Sequence, residues 1–327
     1  MSTSFAIVTG SPDSGVADLI AKAIEATALS VILARNDFVL LADNPKEVVL
    51  IDGVGAAIGT VFSPGEQESV RRLNSDGGRR ILQSNGAELL ERYWGAYVAV
   101  IPGPRDGETL IIRDPSGGQP CLYAQVRGGW VIASDLATLI SVCGAKHEID
   151  WREIAHHLFA VGLRSERTSI AGVMELLPGF RMTISVADAH ISPVWSPWSY
   201  AASAHQLDDP DDAALRLHRS IADSIAGWSA GRRHVLLGLS GGLDSSIVAA
   251  ALAECGQPFS CLNLVSADPD GDERDYARQV TDLLDVPLFE EVRQVGTVDV
   301  GRSTAANLPR PVARSFAQES DRLQIAA

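Results

Sequence analysis

The sequence predicts an α+β layered N-terminal domain followed by an α/β domain built on a parallel sheet. Three observations carry that prediction. Up to about residue 190 the chain is mostly short β-type runs, with its helical stretches grouped beside them. From His190 to Asp212 the composition shifts to HISPVWSPWSYAASAHQLDDPDD, rich in proline, serine and acid. Beyond it strand and helix alternate as βαβαβ, the pattern of a parallel sheet with right-handed crossovers.

In the first region the runs Phe5–Thr9, Ser30–Ala34, Phe38–Ala42, Val48–Ile51, Gly95–Ile101, Thr109–Arg113, Cys121–Val126 and Trp130–Ala133 are rich in Val, Ile and aromatic residues. Asn36-Asp37, Pro102-Gly103-Pro104, Gly117-Gly118 and Gly128-Gly129 punctuate them as turns. Val16–Ala26, Arg80–Arg92, Leu136–Val142 and Trp151–Val161 carry apolar residues three and four apart and read as helices. Residues 1–190 are expected to form the first domain and 191–212 a linker, with the boundary near Ala202. Residues 213–327 form the second.

The second region opens on a helix signal. Asp209 can cap, Pro210 suits the first turn, and Asp211 and Asp212 favour the positive end of the dipole. Leu217, Ile221, Ile225 and Trp228 then predict one buried stripe. Val235–Leu239, Ser260–Val265 and Pro287–Val292 read as strands, Ser245–Glu254 and Asp272–Leu284 as helices. On the last helix Tyr276, Val280, Leu283 and Leu284 are expected to face inward.

Composition narrows the function classes. The 327 residues suggest two domains at roughly 150 residues each. Twenty-seven basic against 41 acidic residues leave a net charge of −14, which repels phosphate backbones and anionic lipid, so neither a nucleic-acid nor a membrane partner is expected. The longest apolar runs, such as Ile247–Ala253, are too short to span a bilayer, and MSTSFAIVTGSPDS lacks the basic start and apolar core of a signal peptide. Cys121, Cys143, Cys255 and Cys261 show no CxxC spacing, so no disulfide framework or zinc site is expected. A cytoplasmic location is the expectation.

One turn carries chemistry. Leu239-Ser240-Gly241-Gly242-Leu243-Asp244-Ser245-Ser246 lies between the first strand and helix of the second region, at the carboxyl edge of the sheet where α/β proteins bind ligands. Its two glycines let backbone N–H groups converge on an anion, the serines add hydroxyl donors, and the helix N-terminus adds partial positive charge. Asp244 is out of place beside an anion unless it holds a metal, and magnesium is the expected one. The lysine of a GxxxxGK(S/T) loop is absent. A second glycine-rich stretch, Asp52–Gly59, imitates a dinucleotide fingerprint. Its third glycine falls one place late, and Thr60–Gly65 cannot continue a helix, so it reads as a glycine-rich strand connection.

The turn closely resembles the SGGxDS signature of PP-loop ATP pyrophosphatases. That resemblance implies cleavage of ATP between the α and β phosphates, with AMP attached to an oxygen and pyrophosphate released. It places Leu239, Ser240, Gly241, Gly242, Asp244, Ser245, Ser246 and Leu262 at the nucleotide, with Asp244 on Mg²⁺. Further segments resemble the asparagine synthetase (glutamine-hydrolysing) family, in order and across nearly the whole chain. Ile112–Tyr123 is similar to its RDxxGxxPLYY segment and Val131–Leu139 to its ASE-x-K-x-L strand and helix. Thr168–Gly179 is similar to the T-x-F-x-G-V-x-x-L-x-P-G link, and Asp272-Glu273 with Tyr276-Ala277 to its DE-x-x-Y-A helix. The implied folds are an Ntn-hydrolase, glutaminase-like domain and a PP-loop domain.

The sequence also departs from that family. Ser2 stands where the family exposes a nucleophilic cysteine after Met removal, and the NGEIYN stretch that helps hold glutamine has no counterpart. A working glutaminase, with Ser2 as nucleophile, is therefore not expected. Ala57–Phe62, Leu90–Val98 and Leu308–Gln318 resemble segments of lasso-peptide macrolactam cyclases. These join an Asp or Glu side chain of a precursor peptide to its α-amine. The implied partners are a precursor peptide or small carboxylate and a leader-peptide protease. After Val292 the family's SGxGGDE-like loop and its catalytic lysine or charged pair are not found. The resemblance thus implies a truncated PP-loop domain, its remainder supplied by a longer reading frame or by a separate chain, and no turnover by this chain alone. Asparagine synthase proper and a non-catalytic nucleotide-binding homologue are the alternatives. His156 and His157 read as ordinary helix positions, Trp195 and Trp198 as packing at the domain junction, and Arg310 and Arg314 as surface residues.

Overall fold

The structure is a computed structural model that describes residues 3–10, 16–144, 148–160, 162–185, 188–265, 271–293, 299, 308–311 and 322–325. The chain divides into two compact units. One comprises Met1–Pro64, Ser69–His205 and Asn307–Pro311, the other Gly65–Glu68, Gln206–Ala306 and Val312–Ala327.

In chain order the first unit begins with β1 (Phe5–Gly10), α1 (Val16–Ala26), β2 (Ser30–Ala34), β3 (Phe38–Ala42), β4 (Val48–Ile51), β5 (Gly55–Phe62) and β6 (Arg72–Leu73). The middle is α2 (Ser75–Gln83), α3 (Ala87–Arg92), β7 (Trp94–Pro102), β8 (Thr109–Arg113), β9 (Leu122–Val126) and β10 (Gly129–Ala133). It ends with α4 (Leu136–Cys143), α5 (Trp151–Phe159), β11 (Met174–Glu175), β12 (Phe180–Ile184) and β13 (Ala189–Pro193). Two sheets result, ordered β11-β9-β10-β1-β3-β2 and β13-β12-β8-β7-β5-β4-β6, antiparallel throughout except for the β4–β6 pair. Their facing sides share a core of Phe5, Ile7, Leu40, Ile58, Val98 and Ile111. The outer side of the first sheet packs α1 and α4 through Leu19, Ala23, Leu139 and Val142, and that of the second packs α2 and α3 through Ile81 and Leu89. The layers are therefore αββα. Central strands such as β8 are buried on both sides, which is why they read as unbroken apolar runs.

Two readings of this region need correction. The glycine-rich stretch is a connection only over Asp52–Val54, the turn from β4; from Gly55 it is strand β5, paired with β4 and β7. At Gly59, with φ +111°, an added Cβ would lie 2.2 Å from the Ala96 carbonyl oxygen, so the close approach of β7 demands glycine. The single helix expected over Arg80–Arg92 is two. Gly86, in the left-handed region at φ +86°, breaks it, and a Cβ there would strike the Ile112 side chain.

A buried charge cluster ties the unit together. The guanidinium of Arg113, 1% exposed, donates to the carbonyls of Gln119, Gly117 and Leu176 and to Glu175 at 2.8 Å. The other Glu175 oxygen pairs with Arg310, which also donates to the carbonyls of Ser165 and Arg167. Arg310 is thus not the surface residue the sequence suggested, and the Pro309 carbonyl beside it accepts from the Ser169 N–H. Arg314 lies outside the described residues.

The second unit consists of α6 (Pro210–Ser229), β14 (Val235–Gly238), α7 (Leu243–Glu254), β15 (Phe259–Val265), α8 (Arg274–Leu284) and β16 (Leu288–Val292). Asp209 caps α6 by accepting from the Asp211 N–H at 2.9 Å. The strands form a parallel sheet ordered β14-β15-β16, and Leu239, Ala249, Leu252, Phe259, Cys261 and Ala277 make the core. Both predicted helix stripes hold only in part. On α6 Leu217 and Trp228 are exposed while Ala226 and Ser229 are buried. On α8 Tyr276 and Leu283 are exposed while Ala277 and Thr281 are buried. Of the predicted stripes, Ile225 on α6 and Val280 and Leu284 on α8 do pack against the core, half-buried, while the smaller side chains sit deepest. No helix among the described residues is long and apolar enough to cross a membrane.

Two outcomes follow for the charge cluster. Arg113→Met leaves the Glu175 carboxylate in the interior without its main partner, so a loss of about 3–5 kcal/mol is expected in urea unfolding. Burial alone would push the Glu175 carboxyl up, but the hydrogen bond and charge of Arg113, joined by Arg310, hold it below the usual glutamate value. The ionised form therefore stabilises the fold near neutral pH, and that contribution drains away as pH falls through the lowered value. Glu175→Gln should flatten the acid limb of unfolding midpoint against pH; a limb of unchanged slope refutes the assignment.

Candidate functional site

The site begins where the β14–β15 ladder ends. Gly238 is the last paired residue of β14, opposite Leu262, and Leu239 extends the contact by one bond from its N–H to the Leu262 carbonyl at 2.9 Å. The chain then turns through Ser240, Gly241 and Gly242 into α7. Gly241 has φ +84° and sits against the first turn of α8, where a Cβ would lie 2.5 Å from Tyr276 Cβ and 2.7 Å from the Ala277 nitrogen. Only glycine satisfies both constraints.

The hydroxyls organise the turn from inside. Ser240 Oγ accepts from the Gly242 N–H at 3.2 Å and lies 3.2 Å from Ser245 Oγ. Ser246 donates to the Gly242 carbonyl at 2.8 Å and Ser245 to the same oxygen at 3.3 Å. Gly242 stands at the cap position of α7 with no side-chain acceptor over the first turn. The N–H groups of Leu243, Asp244 and Ser245 thus have no acceptor among the described residues, and they carry the positive end of a 12-residue helix. The loop is open to solvent at Ser240, Gly242, Leu243 and Asp244. An arrangement of this kind can accept an anion.

Of the sequence-predicted residues, Leu239, Ser240, Gly241, Gly242, Asp244, Ser245 and Ser246 form this one turn. Leu262 lies beside it on β15, 2% exposed, its carbonyl occupied by Leu239. Asp244 is exposed at the second position of α7, at one end of a groove of about 470 Å³ lined by Ile221, Ile225, Ile247 and Val248. No group of three or more His, Cys, Asp and Glu among the described residues can hold a metal by itself. A lone carboxylate beside an anion cradle still fits magnesium, which keeps waters and takes one or two carboxylates together with substrate phosphates. Asp272-Glu273 and Tyr276-Ala277 open α8. Asp272 is drawn down to about 2 by hydrogen bonds from Arg274, Glu273 stands at the cap, and Tyr276 and Ala277 wall the glycine turn.

The first unit presents less. Ser2 lies outside the described residues. Next to it Thr3 is buried, and its carbonyl accepts from the Gln119 side chain at 2.9 Å. His156 is exposed and His157 half-buried, as expected of helix positions. Trp195 packs on the unit's own outer core, beside Gly179, while Trp198 is 81% exposed. The residue the sequence reading missed is Asn263, 3% exposed on β15, whose side chain donates to the Leu239 carbonyl at 2.8 Å. An asparagine in the middle of the largely apolar run Phe259–Val265 was the available signal.

Comparison with known proteins matches each unit separately. Residues 79–195 match the glutamine amidotransferase domain family and residues 216–298 the asparagine synthase family. Asparagine synthetase [glutamine-hydrolyzing] 2 of Bacillus subtilis (strain 168) is 22% identical over 229 residues, 66% of this chain. That match spans 30% of the relative's length. Among solved structures, the B. subtilis glutamine phosphoribosylpyrophosphate amidotransferase complexed with ADP and GMP aligns at 12% identity and TM-score 0.35, over 99% of this chain and 89% of that one. An allosteric regulatory enzyme of purine biosynthesis aligns at 11% identity and TM-score 0.32, over 100% and 82%. The chain is thus similar to a glutamine amidotransferase domain and, after it, to asparagine synthase, in the same order along the sequence.

Proposed function

We propose that this chain carries the nucleotide site of an ATP-dependent amide-forming ligase that adenylates a carboxylate, and that the reaction is macrolactam closure of a lasso-type precursor peptide. The observation that carries the reading is the glycine turn into α7, with three helix N–H groups free for phosphate. A carboxylate oxygen of the substrate attacks the α-phosphorus of ATP, the bond to the β-phosphate oxygen breaks, and pyrophosphate leaves. The amine then attacks the acyl carbon, loses a proton, and expels AMP as the amide forms. Leu243, Asp244 and Ser245 N–H groups hold phosphate oxygens, while the serine hydroxyls keep the turn in shape. Asp244 would hold magnesium against the phosphates, and the bound ion would neutralise charge on the leaving pyrophosphate.

The choice of amine rests on the first unit. Ser2 replaces cysteine, the glutamine-holding stretch is missing, and three segments resemble the cyclases. A tethered α-amine needs no ammonia source, and proximity supplies much of the rate. Freeing that amine requires a leader protease, and the remaining catalytic groups would come from further protein sequence or a separate chain. The Bacillus relative favours a second reading, asparagine formation from aspartate.

Pyrophosphate release decides between them. The complete gene product with magnesium and ATP is expected to release it with precursor peptide and not with aspartate plus ammonia. The reverse result establishes the second reading, and silence with both leaves a nucleotide-binding protein without turnover. Asp244→Ala should lower release at least about a hundredfold with no change in melting temperature, since the side chain is exposed; full activity in this variant removes Asp244 from the metal. Gly241→Ala should abolish ATP binding by calorimetry and cost about 1–3 kcal/mol in stability, because the new Cβ meets α8 and φ is positive.

A further inference from the structure

We propose that Asn263 is a positioning residue that aims the Ser240 N–H at the nucleotide; this rests on the nucleotide reading of the turn. Asn263 lies on the central strand β15, one residue past Leu262, where backbone pairing with β14 ends. Its Nδ2 donates to the Leu239 carbonyl at 2.8 Å in a buried setting. Leu239 is thus held on both sides, its N–H by the Leu262 carbonyl and its C=O by the Asn263 side chain. In effect the side-chain amide adds one rung to the ladder beyond the last backbone rung.

The consequence follows from peptide geometry. The Leu239–Ser240 bond is trans, so the Leu239 carbonyl and the Ser240 N–H point in opposite directions. A carbonyl drawn toward β15 sends the Ser240 N–H away from it, to the open side of the turn. That N–H has no acceptor among the described residues, and Ser240 is exposed. It joins the N–H groups of Leu243, Asp244 and Ser245 as a fourth donor to phosphate oxygen. Gly241, pressed on the first turn of α8, blocks the turn from shifting sideways. Rotation of the Leu239–Ser240 peptide is the freedom left, and Asn263 removes it.

Two near-isosteric variants of the full chain test this. Asn263→Leu keeps the bulk and removes the donor; Asn263→Asp keeps the shape and turns an acceptor on the carbonyl. ATP affinity measured by calorimetry is expected to fall about tenfold or more in both, the size of one lost hydrogen bond to a charged group. Both variants should also melt lower without nucleotide, Asn263→Asp the more so because it buries a carboxylate, and affinity is therefore compared at a temperature where each is folded. The Ser240 amide resonance should shift on ATP addition in the wild type and stay in place in Asn263→Leu, a response that packing loss alone would not produce. Wild-type ATP affinity in folded Asn263→Leu overturns the proposal while leaving the nucleotide site standing. Failure of the wild type to bind ATP overturns the nucleotide reading and the Asn263 role with it. If both variants fail to fold, Asn263→Ser reads the same way, weakened affinity supporting the role and unchanged affinity overturning it.

Discussion

The approach of Gly241 to the first turn of α8 is the contact on which the second unit's chemistry depends. The backbone nitrogen of Ala277 and the Cβ of Tyr276 leave no space for a side chain at that point of the turn. With the turn pinned there, α7 starts at Leu243 and presents its unpaired N–H groups at the carboxyl edge of the sheet. A parallel strand delivers the chain to that edge, and the crossover helix carries it away with its positive end facing out. The exposed cluster of N–H groups is therefore a by-product of βαβ geometry, left uncovered by two glycines.

A second principle organises the first unit. Two sheets facing each other, each with helices behind, leave no polar route for a buried carboxylate, so Glu175 must be neutralised from within. Arg113 does this from the end of β8 and Arg310 from a distant part of the chain. Both arginines also satisfy backbone carbonyls, which lets the cluster hold the loops of residues 117–119 and 165–167 and the β11–β12 connection together. Breaking this cluster is costly because it would leave an uncompensated charge in the interior.

Much of the site could be read directly because its requirements are local. A strand, two glycines, serines and a helix start must follow one another in sequence for the turn to form at all. Asp209 could be read as a cap for the same reason. Asn263 could not, because its partner is 24 residues away and nothing in its own neighbourhood names Leu239. Arg310 was misjudged for the same cause, its partner Glu175 lying 135 residues earlier. The stripes on α6 and α8 were right at Ile225, Val280 and Leu284 and wrong at Leu217, Trp228, Tyr276 and Leu283, because periodicity marks an apolar face without saying how much of it a neighbour covers.

By itself, then, the sequence determined the α+β to α/β change, the alternation of strand and helix in the second unit, the glycine turn and the family resemblance, all set by contiguous residues and their spacing. Tertiary structure alone decided that the first unit is a four-layer sandwich, that Gly55–Gly59 belongs to strand β5, and that Arg113, Glu175 and Arg310 meet. The physical reason is the same in each case: these outcomes depend on which surfaces approach closely enough to exclude water. That is a property of elements brought together from far apart in the chain.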